Sequence, residues 1–122
     1  MIDPEHDTFG RLVDDALAAL PRAFLDRLGD VAIVIEDEPS ADQLELVGAH
    51  GLFGLYQGVP RTTYGAGHAA IPTKITIFRG PLERAYPGEA LATAVADVVR
   101  HEVAHHFGIS DDRLRTLQAE RR

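Results

Sequence analysis

The sequence contains no cysteine among its 122 residues. This absence excludes disulfide bonds and thiolate metal sites, so any metal ligand must come from histidine or a carboxylate. Basic residues are also few: 19 Asp and Glu outnumber 12 Lys and Arg, and the formal net charge is −7 at pH 7. Nucleic-acid-binding proteins usually carry a basic patch, so we expect no nucleic acid as a partner.

Long apolar segments are missing as well. No run approaches the roughly 18 residues that would suggest a membrane span. The first seven residues are acidic and lack the apolar region of a signal peptide. Together with the lack of cysteine, this predicts a cytoplasmic protein without membrane association. The length and a hydrophobic content of 45% fit a single domain over residues 1–122 with one modest core.

Hydrophobic periodicity predicts a small α+β fold. The expected elements, in chain order, are helices at 8–20 and 22–28, a buried strand at 31–35, a helical turn at 40–47 with Ser40 as N-cap, strands at 52–57 and 73–78, a long helix from Gly88 or Glu89 to Phe107, and a last short helix from Asp111. Six glycines between residues 48 and 67 predict a long loop. The acidic residues 36–38 are expected to lie in a solvated loop.

Residues 73–78 alternate between apolar and polar side chains, which predicts a half-buried strand at a sheet edge. Ile75 and Ile77 would face the core, with Lys74 and Thr76 on the other side. An extended peptide could then pair with this strand through main-chain hydrogen bonds.

The most informative segment is His101–Asp111, with the sequence HEVAHHFGISD. Its H-E-x-x-H pattern on a helix sets His101 and His105 on one face, with Cβ atoms roughly 5–6 Å apart, where both can bind one metal ion. Glu102 lies about 100° around the helix from His101, beside the metal. There it can take a proton from a metal-activated water. The motif therefore predicts a zinc site that hydrolyses peptide bonds.

A helical projection places this motif on the apolar side of the long helix. The residues that share the sector of His101, Glu102 and His105 are Leu91, Ala94, Val95 and Val98. The placement disfavours a charged turn that simply faces solvent. A buried histidine pair held by hydrogen bonds is the weaker interpretation of the motif. Such a pair would remove Glu102 from water without giving its carboxylate a partner.

The residues after the motif can supply a third ligand. Gly108 suits the left-handed conformation that ends a helix, and a residue three positions later can approach the metal from a new direction. We expect Asp111 to be this ligand. Asp112 is the competing candidate and could instead cap the final helix. Two histidines and one aspartate suit zinc, which in catalytic sites binds three protein ligands and one water, although other divalent ions could bind the same set.

These residues resemble the zincin metallopeptidases, and more narrowly a small bacterial family of minimal zincin-like domains with the motif H-E-x-x-H-x-x-G-x-x-D. The similarity extends to residues 16–21, 34–39, 54–60 and 71–79 and so covers most of the chain. The resemblance implies a small mixed sheet packed on an N-terminal helix and a long active-site helix. It also implies that zinc is the cofactor, that His101, His105 and Asp111 are the metal ligands, and that Glu102 is the general base. The chain departs from metzincins, which have a methionine turn beneath the metal, because its only methionine is Met1.

The sequence thus predicts a zinc metallopeptidase that acts on a peptide or protein substrate, with the oligomeric state left open. A non-catalytic metal-binding module for interaction or regulation is the alternative, favoured by the small size and disfavoured by the presence of Glu102. A small three-histidine metal-dependent nuclease fits less well, given Asp111, Glu102 and the negative charge. The candidates for stabilising an oxyanion are Tyr56, Tyr64, His68, Arg79 and His106, with His106 expected at the rim of the site.

Overall fold

The computed structural model of the protein describes residues 4–29, 31–47, 52–58 and 73–120. The elements in these ranges are the helices α1 (Pro4–Ala18) and α2 (Arg22–Asp26), the strand β1 (Ala32–Glu36), the helix α3 (Ala41–Val47), the strands β2 (Gly54–Gln57) and β3 (Lys74–Phe78), and the helices α4 (Arg79–Ala85), α5 (Ala90–Phe107) and α6 (Asp111–Glu120). Each predicted helix and strand is present, with ends displaced by a few residues. Most of the predicted glycine-rich loop lies outside the described residues.

The three strands form one mixed sheet in the order β1-β3-β2. β1 runs parallel to β3, with Val34 opposite Thr76, and β2 runs antiparallel to β3, with Tyr56 opposite Ile75. The long helix α5 packs against α1, β2 and β3. This arrangement confirms the predicted α+β fold, a small mixed sheet on an N-terminal helix and a long helix.

The strand β3 is central in the sheet, so the prediction that it lies at an edge is wrong. Both of its sides are hydrogen-bonded, one to β1 and the other to β2, and an added peptide therefore cannot pair with it. Thr76 is fully buried although the alternation assigned it to a polar face, because both faces of this strand are covered. The edges of the sheet, within the described residues, are β1 and β2.

Two helix starts show how local sequence sets the element bounds. The Ser40 hydroxyl accepts a hydrogen bond from the Gln43 amide at 3.1 Å, and the Gln43 side chain accepts one from the Ser40 amide at 2.7 Å. This reciprocal pair is a capping box, and it confirms Ser40 as the N-cap of α3. At the other end of the chain, Ser110 rather than an aspartate caps α6, since its hydroxyl accepts from the Arg113 amide at 2.9 Å.

The hydrophobic core lies between the sheet, α1 and α5. The fully buried side chains of this core include Phe9, Leu20, Ile75, Ile77, Leu82, Val95, Val99, Val103 and Leu114. Leu114 joins α6 to the core, so the segment that begins with Asp111 is held against the end of α5. In the part of the chain that the structure describes, no helix is both long and apolar enough to cross a membrane.

Candidate metal centre

The helix α5 presents the motif at the border between core and solvent. Glu102 is 7% exposed, whereas the side chain of His101 is 64% exposed and His105 is also exposed. Val99 and Val103 are also buried on α5, although they fall outside the sector that the helical projection assigns to the apolar side. The two histidines therefore face outward with Glu102 between them and the core. Their exposure rules out the interpretation as a buried histidine pair.

The backbone of β2 passes close to Glu102. A Cβ atom built on Gly54 would lie 2.7 Å from Val98 Cγ1 and 3.2 Å from Glu102 Oε2. Only a residue without a side chain allows this approach, which covers the inner side of the carboxylate. Burial raises the pKa of Glu102, with the charge of Asp111 acting in the same direction and the charge of His101 opposing it. No pattern in the sequence indicates this role of Gly54, because the role depends on the packing of a strand on a helix.

The raised pKa has a measurable effect on stability. Because the folded state binds this proton more tightly than the unfolded chain, the contribution of Glu102 to stability is greatest below the unfolded pKa of about 4.3 and is lost as pH rises through the folded pKa. Glu102→Gln cannot ionise and escapes this loss. We therefore expect it to unfold at higher urea than wild type at about pH 7.5 in EDTA, but at similar urea at about pH 4. Equal midpoints at the higher pH would contradict the burial argument, and Asp112→Asn, an exposed neighbour, is the control.

The chain reverses after α5 as the sequence predicts. Gly108 has φ 67° and ψ 29°, the left-handed conformation. Its amide donates to the carbonyl of His105 at 3.1 Å, and the Ile109 amide donates to the carbonyl of Ala104 at 3.0 Å. These two bonds form a Schellman motif, which closes the helix and returns the chain toward its last turns. Asp111 thereby reaches the histidine side of α5.

Asp111, rather than Asp112, lies beside the motif. Its Oδ2 is 3.7 Å from His101 Nδ1, and its Oδ1 is 3.3 Å from Arg100 Nε. Asp112 points away, is 91% exposed at its side chain and pairs with Arg115. Two ligand atoms on one tetrahedral zinc lie about 3.3 Å apart, so the distance between His101 and Asp111 is close to what a shared ion needs.

The donor set fits zinc chemically, since two imidazoles and one carboxylate are ligands it commonly takes. The described side chains nevertheless do not include any group of three His, Asp or Glu residues already arranged to hold a metal ion. Within this set of residues, the structure shows His101 and Asp111 in contact.

The remaining histidine of the motif is buried, so the prediction that His106 lies at the rim is wrong. It is 2% exposed, and its Nδ1 lies 2.9 Å from the Tyr56 hydroxyl. The Tyr56 ring also contacts the His105 ring, with centroids 4.7 Å apart. His106 follows the buried Val103 by three residues, and this spacing is the signal that would have assigned it to the inner side.

The other candidates for oxyanion stabilisation are occupied elsewhere or lie outside the described residues. Arg79 forms ion pairs with Asp37 at 3.0 Å and Glu83 at 2.8 Å, and the Tyr56 hydroxyl is bonded to His106. Tyr64 and His68 fall outside the described residues. Tyr56 thus contacts two histidines of the motif, His105 through its ring and His106 through its hydroxyl.

A comparison with known protein families found a match. A family model described as zincin-like metallopeptidase matches residues 28–121, which include the whole sheet, α5 and α6. No curated protein matches the chain. Because the match spans most of the sequence and contains the complete motif segment, the chain belongs to the zincin-like metallopeptidase family.

Proposed function

We propose that this protein is a zinc-dependent peptidase in which Glu102 is the general base and His101, His105 and Asp111 hold the metal. The observation that carries the proposal is a buried carboxylate between two exposed histidines, with Asp111 returned to 3.7 Å from one of them. The packing of α5 alone does not require a buried carboxylate, two exposed histidines and a nearby aspartate. The family supports hydrolysis of peptide bonds as the activity.

Zinc, when bound, would acidify a water molecule and polarise the carbonyl of the substrate. The residues of the chain would then handle the proton. Glu102 accepts it from the attacking water and delivers it to the leaving amine. In the absence of metal, burial raises the pKa of Glu102, and this makes its carboxylate a stronger base than an exposed one. Gly54 allows β2 to pack against the inner side of that carboxylate, because a Cβ at this position would lie 3.2 Å from Glu102 Oε2.

The substrate that we propose is a peptide or protein. The net charge of −7 argues against nucleic acid, whose phosphates would be repelled.

One observation favours a second candidate, a metal-binding module without hydrolytic activity. Asp111 is already ion-paired with Arg100, and the described histidines and carboxylates are not yet gathered into a three-ligand cluster.

Metal stoichiometry tests the site itself. We expect about one zinc per chain in wild type and in Glu102→Gln, and little zinc in His105→Ala, because catalytic zinc takes about three protein ligands and Glu102 is not one of them. Elemental mass spectrometry on untagged protein after zinc addition and gel filtration measures this. Absence of zinc from the wild type, even at saturating zinc, would overturn the proposal.

A further inference from the structure

The residue just before the motif, Arg100, is buried although it is charged. Its side chain is 11% exposed, and its guanidinium contacts two carboxylates, those of Asp97 and Asp111. Buried arginines are costly unless their donors are used, so this placement needs a structural reason. Asp97 and Asp111 lie on different helices, and Arg100 therefore joins the middle of α5 to the start of α6.

The two oxygens of Asp111 have different neighbours. Oδ1 lies 3.3 Å from Arg100 Nε, and Oδ2 lies 3.7 Å from His101 Nδ1. A hydrogen bond to one oxygen restricts the rotation of a carboxylate and so limits the directions in which its second oxygen can point. Here that direction is toward the histidine. Asp112, which has no such contact and instead pairs with Arg115, is exposed.

We propose that Arg100 is a positioning residue that orients Asp111 for metal binding. This inference rests on the metal site proposed above. Residues that hydrogen-bond to metal ligands fix the direction of those ligands, and their loss typically weakens metal affinity by about 10- to 100-fold. The planar guanidinium suits the role because its Nε and Nη2 reach Asp111 and Asp97 at the same time. A lysine offers a single ammonium and cannot hold both carboxylates in this geometry.

The same ion pair between Arg100 and Asp111 could instead have the opposite effect on zinc affinity. If the ion pair with Arg100 instead held Asp111 away from the metal, removal of the arginine would free the ligand and tighten zinc binding. The sign of the change in zinc affinity therefore decides between a positioning residue and a competitor.

The experiment measures zinc affinity by competition with a chromophoric chelator, for wild type, Arg100→Met, Arg100→Lys, Asp111→Asn and the double variant Arg100→Met/Asp111→Asn. We expect Arg100→Met to weaken binding by about 10- to 100-fold, Arg100→Lys by less, and Asp111→Asn by at least as much as Arg100→Met. The double variant should be no weaker than Asp111→Asn alone, because Arg100 acts through Asp111. Asp112→Asn, the exposed neighbour, is the matched control and should bind zinc like wild type.

The outcomes separate this inference from the proposed function. No zinc binding by the wild type would overturn the metal site itself. Tight binding by wild type together with unchanged or tighter binding by Arg100→Met would overturn the positioning role alone, as would additive losses in the double variant. Urea unfolding in EDTA checks that each variant is folded, and Arg100→Lys, which retains the charge, carries the test if Arg100→Met does not fold.

Discussion

Replacement of Glu102 by glutamine should reduce kcat/KM for peptide cleavage by about 10²- to 10⁴-fold or more, while zinc remains bound. Glutamine has nearly the same shape and fits beside Gly54 and Val98, but its amide cannot accept the proton of the attacking water. Glu102 is not among the proposed ligands, so the metal content should not change. The effect would therefore appear in catalysis and not in metal binding.

The measurement is a cleavage screen with a peptide library, read by mass spectrometry for wild type and Glu102→Gln at equal zinc loading. His105→Ala is the matched comparison, because it should lose zinc and activity together. Cleavage by Glu102→Gln at the wild-type rate would show that another group is the base. Zinc-loaded wild type that cleaves no peptide in the library would favour the metal-binding module.

The parts of the fold that depend on short-range patterns could be predicted from the sequence. The apolar spacing in α5, the glycine at its end and the serine before α3 each determine a local geometry through their own backbone and side-chain bonds. Gly108 is the clearest example, since only its left-handed conformation allows the chain to bring Asp111 back toward His101. The same kind of reasoning from local spacing led to the candidate site residues, His101, Glu102, His105 and Asp111.

The features that the sequence did not reveal depend on contacts between distant segments. The alternation of polar and apolar residues cannot show that β3 lies in the centre of the sheet. The polar side chain of Thr76 suggests an exposed face, yet the fold buries this residue completely. The burial of His106 depends on Tyr56, which lies 50 residues earlier and meets it only across the packed helix and strand. Arg100 is similar, since one of its two partners comes from α6. His106 and Arg100 are buried with partners from elsewhere in the chain, whereas the buried Thr76 hydroxyl has no hydrogen-bond partner among the described residues.

The close approach of β2 to α5 gives the second large expected effect. Gly54→Ala should lower the free energy of unfolding by about 1–3 kcal/mol, the usual cost of inserting a methyl group into a packed interior. The new Cβ would lie 2.7 Å from Val98 Cγ1, which is too close for either atom to remain in place. Among the described residues, the glycines with positive φ do not include Gly54, so the alanine backbone itself is not strained. The loss would be steric and can be measured by urea unfolding in EDTA.

A second substitution can test this cause directly. Val98→Ala removes the Cγ1 atom that the new methyl group would meet, so Gly54→Ala should cost less in a Val98→Ala background than in wild type, and the double-mutant cycle should show favourable coupling. Gly29→Ala is the control, because a Cβ built on Gly29 meets nothing within 4 Å. Simple additivity of the two changes would mean that contact with Val98 is not the cause. Rescued stability with weakened peptide cleavage would instead locate the remaining defect at Glu102, whose Oε2 lies 3.2 Å from the same Cβ position.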